Sequence, residues 1–408
     1  MKILFLSDRV PYPLDSGCNI RGYNILRAVA ESHEIDFLSF DVPDNESSER
    51  IAGIQKMCSQ VTIIPRKPQK KWQLSLLVLK NLFEDDPLFW IRYRQNEMKN
   101  ELEKMLRKTD YDAIHCEHLH MAGYLSNISH PFKILDAHQI ETILLLRYVK
   151  QVRNIFKKNA LLKEAIKLKK WETKKISEFS AVLTVSRNEQ EILKNMGSRM
   201  SVLAPNGVDL DYFNFREKES DEPCIVFTGS LAWEPNVDAV LWYYKFILPF
   251  VKDVIPDVRF LVVGQNPPPE ILALTRDKSI TITGYVPDIR PFLAKGTVFA
   301  VPLRIGGGTR LKILQAFASG IPVLSTSIGA EGIEATPDKD IIIKDDIEGL
   351  IQSTISLLQD GGLRKRISQS ARLLVETNYD WVLIRQIVAD LYKRRKTIIE
   401  KQHQEQSI

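Results

Sequence analysis

The chain alternates short apolar runs with longer stretches of helical periodicity. The apolar runs are rich in β-branched and aliphatic residues, and this alternation is typical of parallel β-α-β units. A first series of predicted strands comprises Lys2 to Ser7, Glu34 to Ser39, Val61 to Ile64, Ala113 to His115, Lys133 to Asp136 and Ala181 to Val185. A second series comprises Cys224 to Thr228, Arg259 to Val263, Ile280 to Thr283, Val298 to Val301, Pro322 to Ser325 and Asp340 to Ile343. Two α/β domains of nearly equal size are the simplest organisation.

The segment between the two series predicts the domain boundary. Residues 204–209, Ala-Pro-Asn-Gly-Val-Asp, indicate a turn, and the polar, acidic stretch from Arg216 to Glu222 indicates a linker. We therefore expect a first domain at 1–203, a linker at 204–222, a second domain at 223–375, and a C-terminal helix with a tail at 376–408.

The composition indicates a folded protein without extremes. Of its 408 residues, 44% are hydrophobic and 26% are charged, as in ordinary globular domains. No apolar run reaches the roughly 18 residues of a spanning helix, and a strand begins directly after Met1, so we expect no signal peptide. The four cysteines form no Cys-x-x-Cys pair, which argues against a zinc site or a disulfide framework and favours a cytoplasmic location; they are Cys18, Cys58, Cys116 and Cys224.

Positive charge is modest overall but concentrated in one segment. The net charge of +5 does not indicate a nucleic-acid partner. The stretch from Arg147 to Lys175 has a helical pattern and contains only Glu164 and Glu172 against many lysines and arginines. A solvated helix face is one interpretation. The other is contact with anionic lipid headgroups, a patch that Arg66, Lys67, Lys70, Lys71 and Trp72 would extend.

A glycine-rich segment between residues 301 and 325 carries the strongest chemical signal. A strand-like run gives way to three consecutive glycines, Gly306 to Gly308, and then Thr309, Arg310 and Lys312 open an amphipathic helix. Glycines let backbone amides approach an anion, the helix N-terminus adds its positive end, and the cationic side chains add full charges. The segment predicts a phosphate site, with a glycine-rich turn and solvated cations as the competing interpretation.

The loop after the first strand is a second candidate. It contains Gly17 and leads into a helix that carries Arg21. Ligands bind at the carboxyl ends of strands in open α/β sheets, so a glycine here is placed to approach a ligand closely. A structural turn is the alternative. No G-x-G-x-x-G follows the strand, so the loop is not a dinucleotide fingerprint.

Six segments together resemble the family 4 glycosyltransferases of GT-B fold, and the resemblance spans nearly the whole chain. In order they are KILFLSDRVPYPLDSGCNIRGYNIL, LTVSRNEQEIL, APNGVDLDYF, FTGSLAWEPNVDAV, FLVVGQNPPPEI and ITGYVPDIRPFLAKGTVFAVPLRIGGGTRLKILQAFASGIPVLST. The combination is most similar to bacterial sugar transferases of exopolysaccharide or cell-surface glycan pathways. It implies two facing Rossmann-like domains with parallel sheets, the acceptor on the first and the nucleotide sugar on the second. It also implies a C-terminal helix that crosses back to the first domain, and the helical pattern after Tyr379-Asp380-Trp381 suits that helix.

The resemblance also implies roles for particular residues. Arg310 and Lys312 match positions that face the donor phosphates, and His138 matches a histidine beside the transferred sugar; a buried or linker histidine is the alternative for His138. Gly17 matches a first-loop glycine near the diphosphate and the acceptor. The other implied donor-side positions are Gly229, Gly284, Tyr285, Val286, Gly306, Gly307, Gly308, Thr309 and Gln315. The implied acceptor-side positions are Arg21, Glu117 and His118.

Two departures from the family pattern stand out. Where the family has two glutamates separated by seven residues, this chain has Gly307 and Gln315. A neutral hydrogen bond contributes about 0.5–1.5 kcal/mol and a charged one about 1.5–3 kcal/mol, so Gln315 would weaken donor binding roughly tenfold. The loop that starts at Gly229 lacks the arginine and lysine that many relatives place on the phosphates. Arg310 and Lys312 would then carry most of the charge compensation.

The activity implied is transfer of a sugar from a nucleoside diphosphate to a glycan or lipid-linked acceptor, with retention at the anomeric carbon and without a cofactor. We assign no metal to the three D-x-D matches, because the family uses cationic side chains and helix ends instead; the matches are Asp110–Asp112, Asp209–Asp211 and Asp338–Asp340. Two alternatives stay open. One is a nucleotide-sugar epimerase of GT-B fold, and the other is a transferase-like scaffold without turnover.

Overall fold

The computed structural model describes residues 1–44, 46–66, 77, 81, 84–216 and 222–406. The chain forms two compact units, one of Met1–Pro205 with Ile384–Ile408 and the other of Asn206–Leu383. Residues 217–221 of the predicted linker at 204–222, and Lys67, Lys70, Lys71 and Trp72 of the predicted basic patch, lie outside the described residues. Within the described ranges, no helix combines the length and apolarity needed to cross a bilayer.

The first unit is built on a parallel sheet of seven strands in the order β3-β2-β1-β4-β5-β6-β7. Every pairing between neighbouring strands is parallel. The sequence predicts all of these strands except β7, which is only three residues long and has no extended apolar run. The strands are β1 (Lys2–Ser7), β2 (Glu34–Asp41), β3 (Gln60–Pro65), β4 (Ala113–Glu117), β5 (Lys133–Ala137), β6 (Ala181–Thr184) and β7 (Ser201–Leu203).

Helices cover this sheet. They are α1 (Gly17–Ala30), α2 (Ser47–Gln55), α3 (Leu88–Ile91), α4 (Asn96–Lys108), α5 (Glu141–Gln151), α6 (Ile155–Ser177) and α7 (Arg187–Asn195), with a 3-10 helix at Leu119–Leu125. The prediction of one continuous basic helix from Arg147 to Lys175 is wrong, because residues 152–154 are not helical and separate α5 from α6. Asn154 caps the second helix by accepting a hydrogen bond from the Lys157 backbone nitrogen at 3.0 Å, a role that favours asparagine at a helix start over a helix interior.

The second unit contains a parallel sheet of six strands in the order β10-β9-β8-β11-β12-β13. Its strands are β8 (Cys224–Thr228), β9 (Arg259–Val263), β10 (Ile280–Ile282), β11 (Val298–Val301), β12 (Val323–Ser325) and β13 (Ile342–Ile343). Its helices are α8 (Glu234–Phe246), α9 (Leu248–Val254), α10 (Pro269–Leu272), α11 (Arg290–Leu293), α12 (Leu311–Ala318), α13 (Ile347–Gln359) and α14 (Gly361–Asn378), with a 3-10 helix at Ala273–Arg276. The predicted strands match closely, because each is a buried apolar run bounded by turn residues.

The C-terminal helices α15 (Trp381–Lys393) and α16 (Arg395–Gln406) return the chain to the first unit. Tyr392 of α15 is buried there, and its hydroxyl lies 2.7 Å from His115 Nδ1. Its ring meets Phe132 edge-on with centroids 6.2 Å apart. The predicted architecture, two parallel α/β sheets followed by C-terminal helices, is therefore confirmed.

The sheet orders place the candidate residues. In parallel sheets the carboxyl ends of neighbouring strands lie at one edge. In the first unit β1, β4 and β5 are neighbours, so the residues after Ser7, Glu117 and Ala137 converge. In the second unit β8 and β11 are neighbours, which brings the loop at Gly229 close to the glycine-rich loop.

Candidate active site

A buried ion pair anchors the polar residues of the first unit. Arg21 on α1 and Asp136 at the end of β5 are both almost fully buried, and Arg21 Nη2 lies 2.5 Å from Asp136 Oδ1. The same guanidinium donates to the Ala204 carbonyl oxygen at 2.9 Å. Burial alone would raise the pKa of Asp136, but the charges of Arg21 and His138 hold it far below its usual range. Asp136 is thus a fixed buried negative charge.

Arg21 therefore lies below the protein surface. Its side chain is 1% exposed, so its guanidinium is engaged with Asp136 and Ala204 instead of reaching solvent. Gly17, by contrast, is exposed at the first position of α1, where the Ser16 hydroxyl caps the helix by accepting from the Asn19 backbone nitrogen at 3.3 Å. A ligand can therefore approach Gly17 directly, whereas Arg21 would act on it through Asp136.

His138 lies between two carboxylates. Its Nε2 is 3.5 Å from Glu117 Oε1 and 3.5 Å from Asp136 Oδ2. Glu117 also accepts a hydrogen bond from the Ser7 hydroxyl at 2.5 Å. Burial would lower the pKa of His138, but the charge of Asp136, together with the nearby Cys18 and Glu117, raises that pKa well above its usual range. The ring is accordingly an imidazolium at neutral pH, able to donate a hydrogen bond to an oxygen.

His118 and His120 surround a second buried carboxylate, Asp8. Asp8 forms two 3.0 Å hydrogen bonds with Arg9, and its oxygens lie 3.5 Å from His118 Nε2 and 3.3 Å from His120 Nε2. His118 has a backbone φ of 68°, a region that non-glycine residues seldom occupy. Its ring packs on His138 with centroids 3.8 Å apart. Burial and the nearby His138 lower the pKa of His118 well below its usual range, so this ring is neutral.

In the second unit, Lys312 on α12 points to the loop that follows β8. Its Nζ donates to Asn236 Oδ1 at 2.9 Å and lies 4.2 Å from the centroid of the Phe227 ring. Gly229 has a φ of 150°, and a Cβ built there would be 2.7 Å from Lys312 Nζ. The backbone conformation therefore favours glycine at position 229, and the absence of a side chain there leaves room for the lysine ammonium group.

The environment of Lys312 changes its charge. Burial against the apolar ring, together with the neighbouring Arg310 charge, lowers the pKa of Lys312 to about 7. Among the described residues Lys312 forms no ion pair with a carboxylate, and Asn236 offers only a neutral oxygen. An anion beside Nζ would favour the charged form. Binding of an anion at this position would therefore be coupled to protonation of Lys312.

Arg310 closes the glycine-rich loop upon itself. Its Nη1 donates to the carbonyl oxygen of Gly307 and, at 2.9 Å, to that of Gly308, and its guanidinium carbon lies 5.9 Å from the centroid of the Trp233 ring. Arg310 precedes α12, and no side chain caps the first turn of that helix. The helix N-terminus and the cation thus lie together, as the sequence predicts.

The other predicted donor-side residues occupy separate places. Gly284, with a φ of 72°, follows β10, which is two strands from β8 in the sheet. Tyr285 beside it is 64% exposed. Gln315 lies on α12, one turn beyond Lys312, and is partly buried. Val286 and Thr309 are partly buried loop residues.

The three D-x-D matches have structural roles. Asp112 Oδ2 accepts from the Lys2 backbone nitrogen at 2.9 Å. Asp209 Oδ1 accepts from the backbone nitrogens of residues 211 and 212 at 3.1 Å and 2.9 Å. Asp340 accepts from the Thr336 backbone nitrogen at 2.8 Å and from the Ser370 hydroxyl at 2.5 Å. Each carboxylate therefore stabilises a local turn or contact.

Sequence reasoning missed four residues of these clusters: Asp8, His120, Asp136 and Asn236. Asp8 and Asp136 carry a recognisable signal, since each is an acidic residue at the end of a predicted buried strand. His120 follows His118 by two residues and has no signal beyond that proximity. Asn236 has none, because its role depends on the position of Lys312, which is 76 residues away in the chain.

Comparison with known proteins gives these clusters a context. Residues 222–360, which all lie in the second unit, match the family model described as glycosyl transferases group 1. Over its whole length the chain is similar to an uncharacterized 44.6 kDa protein in the cps region of Klebsiella pneumoniae, with 21% identity over 394 residues that cover 93% of this chain and 96% of the relative.

Solved structures share the fold. Sucrose-phosphate synthase from Thermosynechococcus elongatus superposes with a TM-score of 0.71 at 16% identity, covering 97% of this chain and 99% of the other. Anabaena HepE in complex with UDP has a TM-score of 0.64 at 15% identity, with 96% and 100% covered. A mutant of S. aureus TarM, in complex with fondaparinux, alpha-GlcNAc-glycerol and UDP, has a TM-score of 0.62 at 11% identity, with 96% and 100% covered. The predicted GT-B architecture is confirmed, and the family match over the second unit supports a glycosyltransferase.

Proposed function

We propose that this chain is a retaining, metal-independent family 4 glycosyltransferase that moves a hexose from a nucleoside-diphosphate sugar to a glycan or lipid-linked acceptor. One observation carries the proposal. Lys312, a cation without a carboxylate partner among the described residues, faces the glycine loop after β8 at a position where a side chain would collide with it. A partly buried, uncompensated lysine against a backbone that leaves space is the arrangement expected of a phosphate site.

The second unit would supply electrostatic catalysis. As the bond between the sugar and the diphosphate breaks, negative charge grows on the leaving phosphate. Lys312, Arg310 and the amides of Gly306 to Gly308 would stabilise that charge, which lowers the barrier without a covalent intermediate on the protein. Arg310 would release its hydrogen bonds to the Gly307 and Gly308 carbonyl oxygens and donate to the phosphate instead.

The first unit would bind the acceptor. We propose that the His138 imidazolium donates a hydrogen bond to a hydroxyl of the transferred sugar and that Glu117 and His118 line the acceptor side. Asp136, held by Arg21, would keep His138 protonated and oriented. The complexes of HepE with UDP-glucose and of the TarM mutant with UDP make UDP the first nucleotide to test.

The relative encoded in a cps region supports a place in cell-surface polysaccharide synthesis. A lipid-linked acceptor would require the enzyme to work at the cytoplasmic membrane surface. Helix α6 supports peripheral attachment, since its exposed face combines lysines with the apolar side chains of Ile155, Phe156 and Ile166, and Phe156 is 83% exposed. Two of its lysines are engaged within the protein and would not contribute: Lys175 is buried beside Glu178, and Lys167 donates to the Asn81 and Glu84 carbonyls.

Nucleotide binding and turnover test the proposal. A thermal-shift screen against UDP, GDP, ADP and their sugars should give an increase in melting temperature with one nucleotide class, because a ligand that binds only the folded state stabilises it. With the donor so identified, Arg310→Ala and Lys312→Ala should each slow transfer by more than roughly tenfold without unfolding the protein. Exposed Lys339→Ala is the matched control in the same unit.

The outcomes separate the alternatives. Unchanged turnover in Arg310→Ala or Lys312→Ala would remove the diphosphate assignment. Nucleotide binding with neither transfer nor slow donor hydrolysis would indicate a scaffold. Interconversion of two nucleotide sugars in the absence of acceptor would indicate an epimerase.

A further inference from the structure

Three side chains of types that ligate transition metals lie close together in the first unit, near the carboxyl ends of β1, β4 and β5. Cys18 lies at the start of α1, His118 follows β4 and His138 follows β5, so each comes from a different part of the chain. One ligand atom from each residue lies within 4.8 Å of those of the other two. Ligand atoms at such separations need only small side-chain movements to meet around one ion, because zinc is bound by sulfur at about 2.3 Å and by nitrogen at about 2.0–2.1 Å.

The two histidines have ring nitrogens without hydrogen-bond partners. His118 is 8% exposed, and its Nε2 and that of His138 are buried and make no hydrogen bond among the described residues. An orphaned buried polar atom costs free energy unless something binds it. His118 is held in this position by a left-handed backbone conformation, and such local strain concentrates at binding and catalytic sites.

The charges around these residues favour a cation. Three buried carboxylates, Asp8, Glu117 and Asp136, surround the rings, whereas two guanidiniums, Arg9 and Arg21, pair with two of them. Glu117 has a hydroxyl partner, Ser7, and the nearby His138 ring. Carboxylate oxygens of Asp8, Glu117 and Asp136 also lie 3.5 Å from the Nε2 atoms of the two histidines, so negative charge is concentrated where the ion would sit.

We propose that Cys18, His118 and His138 form a binding site for a divalent metal ion of borderline softness, Zn²⁺ or a chemically similar ion. Two imidazole nitrogens and one thiolate suit tetrahedral zinc, and the fourth position would hold water. Binding would form one metal–sulfur and two metal–nitrogen bonds, and it would release two protons to solvent, one from the Cys18 thiol and one from the His138 imidazolium. All three ligands belong to the first unit, whereas the proposed phosphate-binding residues Arg310 and Lys312 belong to the second.

The site also has a consequence that rests on the proposed function. If His138 donates to the transferred sugar, a metal bound to its ring would occupy that position. Zinc should then inhibit transfer while leaving the binding of the free nucleoside diphosphate unchanged, because the diphosphate does not contact His138 in this proposal. Inhibition relieved by a chelator and absent in Cys18→Ser would support this consequence, and failure of transfer altogether would count against the proposed function without affecting the metal site.

Metal binding by the full-length, reduced protein tests the proposal directly. Titration with Co²⁺ should produce a thiolate-to-cobalt charge-transfer band in the near ultraviolet and the intense visible bands of tetrahedral cobalt, both lost when Zn²⁺ is added. Calorimetry with Zn²⁺ should give about one site per chain. Cys18→Ser should abolish the charge-transfer band and weaken zinc binding by more than roughly tenfold, because the thiolate is the anionic ligand.

Controls keep the outcome clear. Cys58→Ser should behave like the parent, since Cys58 precedes β3 at the amino-terminal edge of the parallel sheet, opposite the proposed site, and burial raises the pKa of its thiol to about 12. His138→Gln should lose zinc binding as Cys18→Ser does, and circular dichroism would verify that each variant is folded. No charge-transfer band in the parent, or equal zinc affinity in Cys18→Ser, would overturn the proposal.

Discussion

Donor affinity should depend on pH through Lys312. The pKa of this side chain is about 7 in the free protein, because burial and the Arg310 charge disfavour its ammonium form. A diphosphate beside Nζ favours that form, so the complex holds Lys312 protonated. Below pH 7 the lysine is already charged and binding needs no proton. Above pH 7 the neutral amine must take up a proton before it can pair with the phosphate, and affinity falls as pH rises.

The size of the effect follows from that pKa. At pH 8 about nine in ten free molecules carry neutral Lys312, so the apparent dissociation constant should be about tenfold weaker than at pH 6, or about 1.4 kcal/mol. A nucleotide sugar is the suitable ligand, because its diphosphate has no terminal phosphate group that titrates in this range. Binding should take up close to one proton at pH 8 and almost none at pH 6.

Isothermal titration calorimetry measures both quantities. Titrations at pH 6, 7 and 8, each in two buffers of different ionisation enthalpy, give the affinity and the number of protons taken up. Lys312→Arg should remove the pH dependence, since a guanidinium stays charged throughout. Lys312→Met should bind weakly and without pH dependence, and Lys339→Met should match the parent. An affinity that falls with pH in Lys312→Met as it does in the parent would refute the reasoning, because the titrating group would then be another residue.

Three further predictions concern other parts of the chain. Gln315→Glu should tighten donor binding up to roughly tenfold if this position faces the ribose hydroxyls, since a carboxylate is the stronger acceptor; equal or weaker affinity by calorimetry would assign Gln315 another partner. Arg21→Met should lower the free energy of unfolding by about 3–5 kcal/mol, because it leaves Asp136 buried without its partner. Denaturant unfolding curves, compared with those of the control Arg276→Met at an exposed position, would measure the loss, and a loss below about 1 kcal/mol would contradict the prediction. The parent should co-sediment with anionic vesicles in a salt-sensitive manner and bind neutral vesicles little. The test variant has glutamine in place of Lys157, Lys158, Lys169 and Lys170. If this variant sedimented like the parent, membrane attachment would be removed from the proposal.

The amino-acid sequence by itself determined the architecture. Buried strands of a parallel sheet are continuous apolar runs, so Cys224–Thr228, Arg259–Val263 and Val298–Val301 could be predicted to the residue. The glycine-rich loop and its two cations were equally visible, because the positive ends of helices and flexible glycines have local sequence patterns. Where local signals compete, prediction was wrong, as at residues 152–154, where an N-cap interrupts a pattern of helical period.

The chemistry of the candidate sites was decided only by the tertiary structure. The family resemblance implies an acceptor-side role for Arg21, but nothing in the sequence indicates that strand order places it against Asp136 in the interior. Lys312 has an ordinary side chain whose pKa is lowered by Phe227 and Arg310, and its partner Asn236 is 76 residues away. The cysteines have no metal-binding spacing, yet β1, β4 and β5 bring Cys18 near two histidines that lie about a hundred residues further along. Burial, charge and proximity depend on which chain segments become neighbours, and that information is not local to any motif.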